Sequence, residues 1–230
     1  MLRVGLTGGI ACGKSTVGQM LVARGAHYLS ADELAHQLYA PGAEVYDAVV
    51  DHFGREIINS DGTVNRKKLA SIVFPARIGE LNAIVHPAVI DLQRRLMHEA
   101  FTRDPKAVAV IESALIFEVA RDAKACGDKD SVLADWRRRI DRVIVVTAPE
   151  EVKVARFVAR LNLPAEKRAA AETDARNRLA HQIADAEKAA QADYVIDNSR
   201  DLAFLDRQVR ALWPTLKEES NNSPSLLSLK

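Results

Sequence analysis

The stretch GLTGGIACGKST, which begins at Gly5, constrains this chain more than any other. It follows an apolar run that reads as a buried strand, and it leads into a helical pattern. Between the two, Gly8, Gly13, Lys14 and Ser15 satisfy G-x-x-x-x-G-K-[ST]. Gly8 and Gly9 permit backbone angles closed to other residues, and Gly13 allows close approach to an anion. Successive N–H groups and the helix N-terminus then cradle phosphates. Lys14 neutralises the terminal phosphates of a nucleotide such as ATP, and the Ser15 hydroxyl is a ligand for Mg²⁺. Thr16 is expected to face the nucleotide as well. Cys12 has two readings. It is a thiol activated by the helix N-terminus and Lys14, or a small residue that lends only its backbone. The second is preferred, because the motif leaves that position free.

The rest of the chain reads as α/β. Apolar runs at 3–7, 27–30, 107–112, 142–147 and 194–197 are mostly continuous, as in strands covered on both faces. Helical patterns separate them, which predicts a five-stranded parallel sheet flanked by helices. One domain is expected over residues 1–216. Within it, 33–104 forms a helical insert and 149–192 a lid of two helices joined near LNLPAEKR. In the insert, HPAVIDLQRRLMHEAF is expected to open a helix with Pro87 in its first turn. DRQVRALW closes the domain as a helix ending before Pro214, and the polar tail 217–230 is expected to be disordered.

Charge narrows the partners. The 230 residues carry 32 Lys and Arg against 31 Asp and Glu, a net charge of +1. No global basic field exists, so nucleic acid is not indicated. No apolar run is long enough to cross a bilayer, no signal-peptide pattern precedes the first strand, and no obligate protein partner is evident. Cys12 and Cys126 fit no metal-ligand spacing and point to a reducing compartment, so the cytoplasm is expected.

A phosphate loop does not by itself separate kinases from switches or ATP-driven machines. The chain has no guanine-reading N-K-x-D and no LSGGQ-like string, and DHFG at Asp51 reads as a helix end. A small kinase remains, and its chemistry asks for a carboxylate near the acceptor hydroxyl. Asp32 lies just past the second strand, at the carboxyl edge where ligands bind. Read from position alone, SADE is equally a helix cap. Arg156 and Arg160, spaced i,i+4, share a helix face. They either close on phosphate or form a solvated surface.

GLTGGIACGKSTV, SADELA, DHFG, DGTVNRKKLASIVF, LNAIVHP, LIFE and ADYVIDNS follow one another in an order that resembles bacterial dephospho-CoA kinases, from about Arg3 to Trp213. The resemblance implies transfer of the ATP γ-phosphoryl group to the ribose 3′-hydroxyl of dephospho-CoA. It implies that Asp32 is the catalytic base, with Lys14, Arg156 and Arg160 acting on phosphate. Gly8, Gly9, Ala11, Cys12, Gly13, Lys14, Ser15 and Thr16 would bind ATP, with Asn198 where the adenine sits. Thr7, Asp32, His36, Leu115 and Glu118 are the expected acceptor-binding residues. Ser30, His36 and Ala114 depart from the family pattern, and a charged stretch extends the chain after Val119. Two alternatives stand beside this reading. One is a kinase for another nucleoside or nucleotide. The other is a nucleotide-binding regulator, against which the intact loop and Asp32 both argue.

Overall fold

The structure, a computed structural model, describes residues 1–74 and 76–223. The chain divides into two compact units, Met1–Tyr28 with Ala100–Lys230, and Leu29–Glu99. In chain order, the elements are β1 (Leu2–Thr7), α1 (Lys14–Val22), β2 (His27–Ser30), α2 (Ala31–Leu38), α3 (Tyr46–Phe53), α4 (Arg66–Val73) and α5 (Ile78–Arg103). They continue as β3 (Val108–Glu112), α6 (Ile116–Ala125), β4 (Arg142–Thr147), α7 (Glu150–Leu161), α8 (Ala165–His181), α9 (Asp185–Ala189), β5 (Tyr194–Asp197) and α10 (Leu202–Asn222).

The sheet has the order β2-β3-β1-β4-β5. β1 pairs in parallel with β3 and β4, and β4 with β5. Its central strands are the continuous apolar runs, because helices cover both faces. Val4, Leu6, Val108, Val110, Ile144 and Val146 are fully buried. The register sets Leu6 opposite Glu112, Thr7 opposite Val145 and Thr147 opposite Asp197. The carboxyl ends of four strands therefore form one edge, the place where ligands enter an open parallel sheet. Among the described residues no helix is long and apolar enough to cross a membrane.

The second unit packs α2, α3, α4 and most of α5 around its own core, which includes Leu34, Val49, Phe53, Ile57, Leu69 and Val85. α3 ends at Phe53, and Gly54 follows with φ 90°, so DHFG is a helix end. α5 does not start at Pro87. It begins at Ile78 and carries Pro87 inside it. An interior proline forfeits a backbone hydrogen bond, a cost of about 3 kcal/mol. Burial of Val85 and Val89 on either side of the proline outweighs that cost.

α10 departs from expectation in the same way. It runs through Pro214 to Asn222, so residues 217–222 are helical rather than disordered. Tertiary anchors carry it past the proline. Leu216 is fully buried. Ser220 Oγ donates to the Lys106 carbonyl at 3.0 Å, and the chain's own N-terminus donates to the Ser220 carbonyl at 2.9 Å. Glu219 accepts from Arg142 Nε at 2.9 Å and from the Tyr194 hydroxyl at 3.0 Å. Residues 224–230 of the expected tail lie outside the described residues. The charged stretch after Val119 is tied down too: Trp136 packs edge-on against Phe117, and Arg137 lies over the Trp136 ring. Leu216→Ala is expected to destabilise the protein by about 2–5 kcal/mol and Glu219→Ala by about 1 kcal/mol in urea unfolding. Neutral outcomes for both would mean that the helix past Pro214 does not dock.

Candidate active site

β1 delivers its chain into the phosphate loop at the carboxyl edge. Gly8 has φ 145°, and a Cβ there would stand 2.2 Å from the Val146 carbonyl oxygen. Gly13 has φ 99°, and a Cβ there would stand 2.1 Å from Asn198 Nδ2. Both positions thus combine a backbone angle and a closeness that only glycine tolerates. Gly13 then caps α1, which starts at Lys14. Lys14 is buried, and its Nζ donates to the carbonyls of Gly8 at 3.2 Å and Gly9 at 3.0 Å. Ser15 and Thr16 are exposed beside it.

Asn198, just past β5, is turned toward the loop. It is 5% exposed, and its Nδ2 donates to the Cys12 carbonyl at 2.8 Å. Its own N–H donates to Thr147, the last residue of β4. The residue therefore braces the loop against the sheet. Cys12 is fully buried, and its Sγ lies 4.0 Å from Lys14 Nζ. Burial pushes the thiol up from its ordinary range, and the Lys14 ammonium opposes this only in part. Of the two readings of Cys12, the structure keeps the one in which it serves through its backbone. Thr7 is also fully buried, and its Oγ1 has no hydrogen-bond partner among the described residues.

A carboxylate that the sequence reading passed over joins the loop. Glu112 closes β3, opposite Leu6. It accepts from Ser15 Oγ at 3.1 Å with one oxygen and from the Tyr28 hydroxyl with the other. The available signal was an acidic residue ending the apolar run VAVIE, at the edge where parallel strands meet ligands. A hydroxyl beside a carboxylate is a hard oxygen pair of the kind Mg²⁺ takes. Among the described residues no group of three or more His, Cys, Asp or Glu is placed to hold a metal.

α7 and α8 join through Asn162 with φ 47°. Their core of Val154, Phe157 and Ala175 takes in Ile10 and Ala11 from the phosphate loop. α7 and α8 therefore pack on the loop. Arg156 is half-buried, and its Nη1 is shielded from solvent with no hydrogen-bond partner among the described residues. Arg160, one turn on, is exposed, while Arg178 is held by both oxygens of Asp174 at 3.0 Å.

Glu118 is paired through one of its two oxygens, and Oε2 is buried with no hydrogen-bond partner among the described residues. It is 4% exposed and faces inward, where Oε1 accepts from Lys188 Nζ at 2.7 Å and from the Ile183 N–H at 2.9 Å. Lys188 is fully buried and also donates to the Ala114 carbonyl at 2.8 Å. Burial pulls its ammonium below the usual lysine range, and the Glu118 carboxylate works against that. Ile116 and Phe117 belong to the core at 3% exposure each, and Leu115 is half-buried.

In the second unit, Ser30 caps α2, its Oγ accepting from the Glu33 N–H at 3.3 Å. The cap reading thus falls to Ser30. Asp32 sits in the first turn, exposed, its carboxylate held by no described side chain. His36 lies one turn along the same helix. Partial burial and then the Arg66 guanidinium push its imidazole below the ordinary value, against the pull of Asp32 and Glu33. The ring is therefore neutral at pH 7, a hydrogen-bonding group and not a charge.

Residues 2–203 match the family model described as dephospho-CoA kinase. The chain belongs to that family. A dephospho-CoA kinase of Frankia casuarinae is 37% identical over 218 residues, covering 94% of this chain and 84% of the relative. One from Geobacter metallireducens is 37% identical over 226 residues, covering 97% and 100%. Among solved structures, a protein of Thermus thermophilus superposes with a TM-score of 0.68 at 29% identity, covering 94% of this chain and 97% of that one. The family match spans the loop, Asp32 and both lid arginines, so the local geometry and the relatives concern the same residues.

Two outcomes follow from the buried groups. A thiol reagent added to native protein should label exposed Cys126 within minutes and Cys12 only on denaturation. Rapid labelling of both would contradict the burial of the loop thiol. Lys188→Met leaves Glu118 as an uncompensated buried carboxylate, which should cost about 3–5 kcal/mol in urea unfolding. An unchanged unfolding midpoint would show that the pair carries no stability.

Proposed function

We propose that this chain transfers the γ-phosphoryl group of ATP to the ribose 3′-hydroxyl of dephospho-CoA, releasing ADP and coenzyme A. The observation that carries the reading is the loop itself. Lys14 folds over its own carbonyls, and the Ser15 hydroxyl meets the Glu112 carboxylate at 3.1 Å, in a chain of the dephospho-CoA kinase family.

The loop's N–H groups and the N-terminus of α1 bind the phosphates, and Lys14 exchanges its carbonyl partners for phosphate oxygens. Ser15 and Glu112 are the groups that would hold Mg²⁺, which would supply positive charge to offset the negative charge of the phosphates. Asp32 accepts the proton of the attacking hydroxyl. The new bond joins the 3′ oxygen to the γ-phosphorus. The bond from that phosphorus to the β–γ bridging oxygen breaks, and ADP departs with the electron pair. Arg156, with its orphaned nitrogen, and Arg160 stabilise charge on the moving phosphoryl group. His36, neutral at pH 7, contributes a hydrogen bond to the acceptor where the family pattern has arginine. The reading places the reaction in the cytoplasm, supported by two cysteines outside any disulfide.

ADP release, measured with dephospho-CoA, adenosine and AMP offered separately, tests the acceptor. Turnover is expected with dephospho-CoA alone. Turnover confined to another acceptor, or nucleotide binding without turnover, would refute the assignment. Asp32→Asn should lower kcat by roughly 10²-fold or more with ATP affinity nearly unchanged. Undiminished turnover would remove Asp32 from the role of base.

A further inference from the structure

The Gly9–Ile10 peptide unit, in the first half of the phosphate loop, is held at both ends. Its carbonyl accepts from Lys14 Nζ at 3.0 Å. Its N–H donates to Gln182 Oε1 at 2.9 Å. A trans peptide is planar, so its carbonyl and N–H point in opposite directions and can turn only together. Whatever fixes the Ile10 N–H therefore also fixes the direction of the Gly9 carbonyl, and with it the resting place of the Lys14 ammonium.

Gln182 is far from the loop motif, 172 residues along the chain from Ile10. It caps α8, its own N–H donating to the Leu179 carbonyl at 3.1 Å. The walls around the peptide come from the same region. A Cβ on Gly9 would stand 3.0 Å from Asp185 Oδ1, 3.2 Å from Lys153 Nζ and 3.4 Å from Leu179 Cδ2. The Lys153–Asp185 ion pair, at 2.9 Å, joins α7 to α9 across that wall. Ile10 itself sits in the apolar core of the lid helices. The peptide is thus clamped between Lys14 on one side and the root of the lid on the other.

We propose that Gln182 is a positioning residue for nucleotide binding. By accepting the Ile10 N–H it turns the Gly9 carbonyl toward Lys14, and so keeps the ammonium poised where a nucleotide's terminal phosphates bind. The inference rests on the reading of Lys14 as a phosphate ligand. A glutamine that only ended a helix would contribute stability and nothing specific to ATP.

The test is a double-mutant cycle on the intact chain, with ATP and dephospho-CoA affinities read by calorimetric titration and thermal unfolding followed alongside. Gln182→Met should weaken ATP binding roughly 5- to 10-fold, the effect of one lost hydrogen bond. Dephospho-CoA affinity should stay within about twofold and Tm within about 2 °C. Gln182→Asn, which keeps the amide but shortens its reach, should behave like Gln182→Met. In a Lys14→Met background the glutamine substitution should cost no further ATP affinity, since the group it positions is gone. Three results would overturn the proposal while leaving the loop's role intact. They are unchanged ATP affinity in Gln182→Met, the same additional loss with Lys14→Met present, or an equal loss for both ligands with a lowered Tm. Should Lys14→Met alone bind ATP like the wild type, the reading of the loop fails and the proposal with it.

Discussion

The phosphate loop must hold its polar backbone in a buried place while leaving its anion-binding groups available, and the rest of the first unit is arranged around that constraint. A buried N–H or carbonyl without a partner is costly. The Cys12 carbonyl is met by Asn198 beyond β5, the Gly9 carbonyl by Lys14, and the Ile10 N–H by Gln182 beyond α8. Two of these partners come from the last third of the chain. A loop of a few residues near the N-terminus is therefore completed only when β5 and the lid helices are in place.

The same arrangement bears on α7 and α8. Two Ala- and Arg-rich helices read naturally as a cover that moves as a whole. Their apolar core takes in Ile10 and Ala11, and the Lys153–Asp185 pair stands against Gly9. Any motion of α7 and α8 is thus felt at the loop. Arg160 and Arg178 remain on the surface, while Arg156 holds a shielded nitrogen with no hydrogen-bond partner among the described residues. Glu118 and Lys188 form a second anchor nearby. Their buried pair ties α6 to α9, and its cost of burial is offset by the bonds to Ile183 and Ala114.

Several features were legible because they depend on short-range patterns. The loop motif, the strands with continuous apolar runs, the stop of α3 at Gly54 and the cap before α2 all follow from local spacing. Misreadings arose where tertiary contacts outweighed a local rule. Pro87 and Pro214 are helix breakers by themselves, yet both lie within helices whose flanking residues are buried. Residues 217–222 are polar enough to suggest disorder, but Glu219 and Ser220 find partners in β4, β5 and the chain before β3. Glu118, expected at the acceptor from the family pattern, carries its Oε1 inward. Its inward direction is set by Lys188, 0% exposed and distant in sequence.

By itself the sequence determined that a polyphosphate is held at Gly8 to Ser15, because the glycine positions and the lysine at that spacing serve few other ends. It also determined the α/β order and the family. Only the tertiary structure decided which residues support that chemistry. Glu112 reaches Ser15, Asn198 reaches Cys12 and Gln182 reaches Ile10 through the parallel register and the packing of the lid. Hydrogen bonds between residues so far apart along the chain leave no periodic trace in sequence. They exist because folding brings a donor and an acceptor from distant parts of the chain to one place.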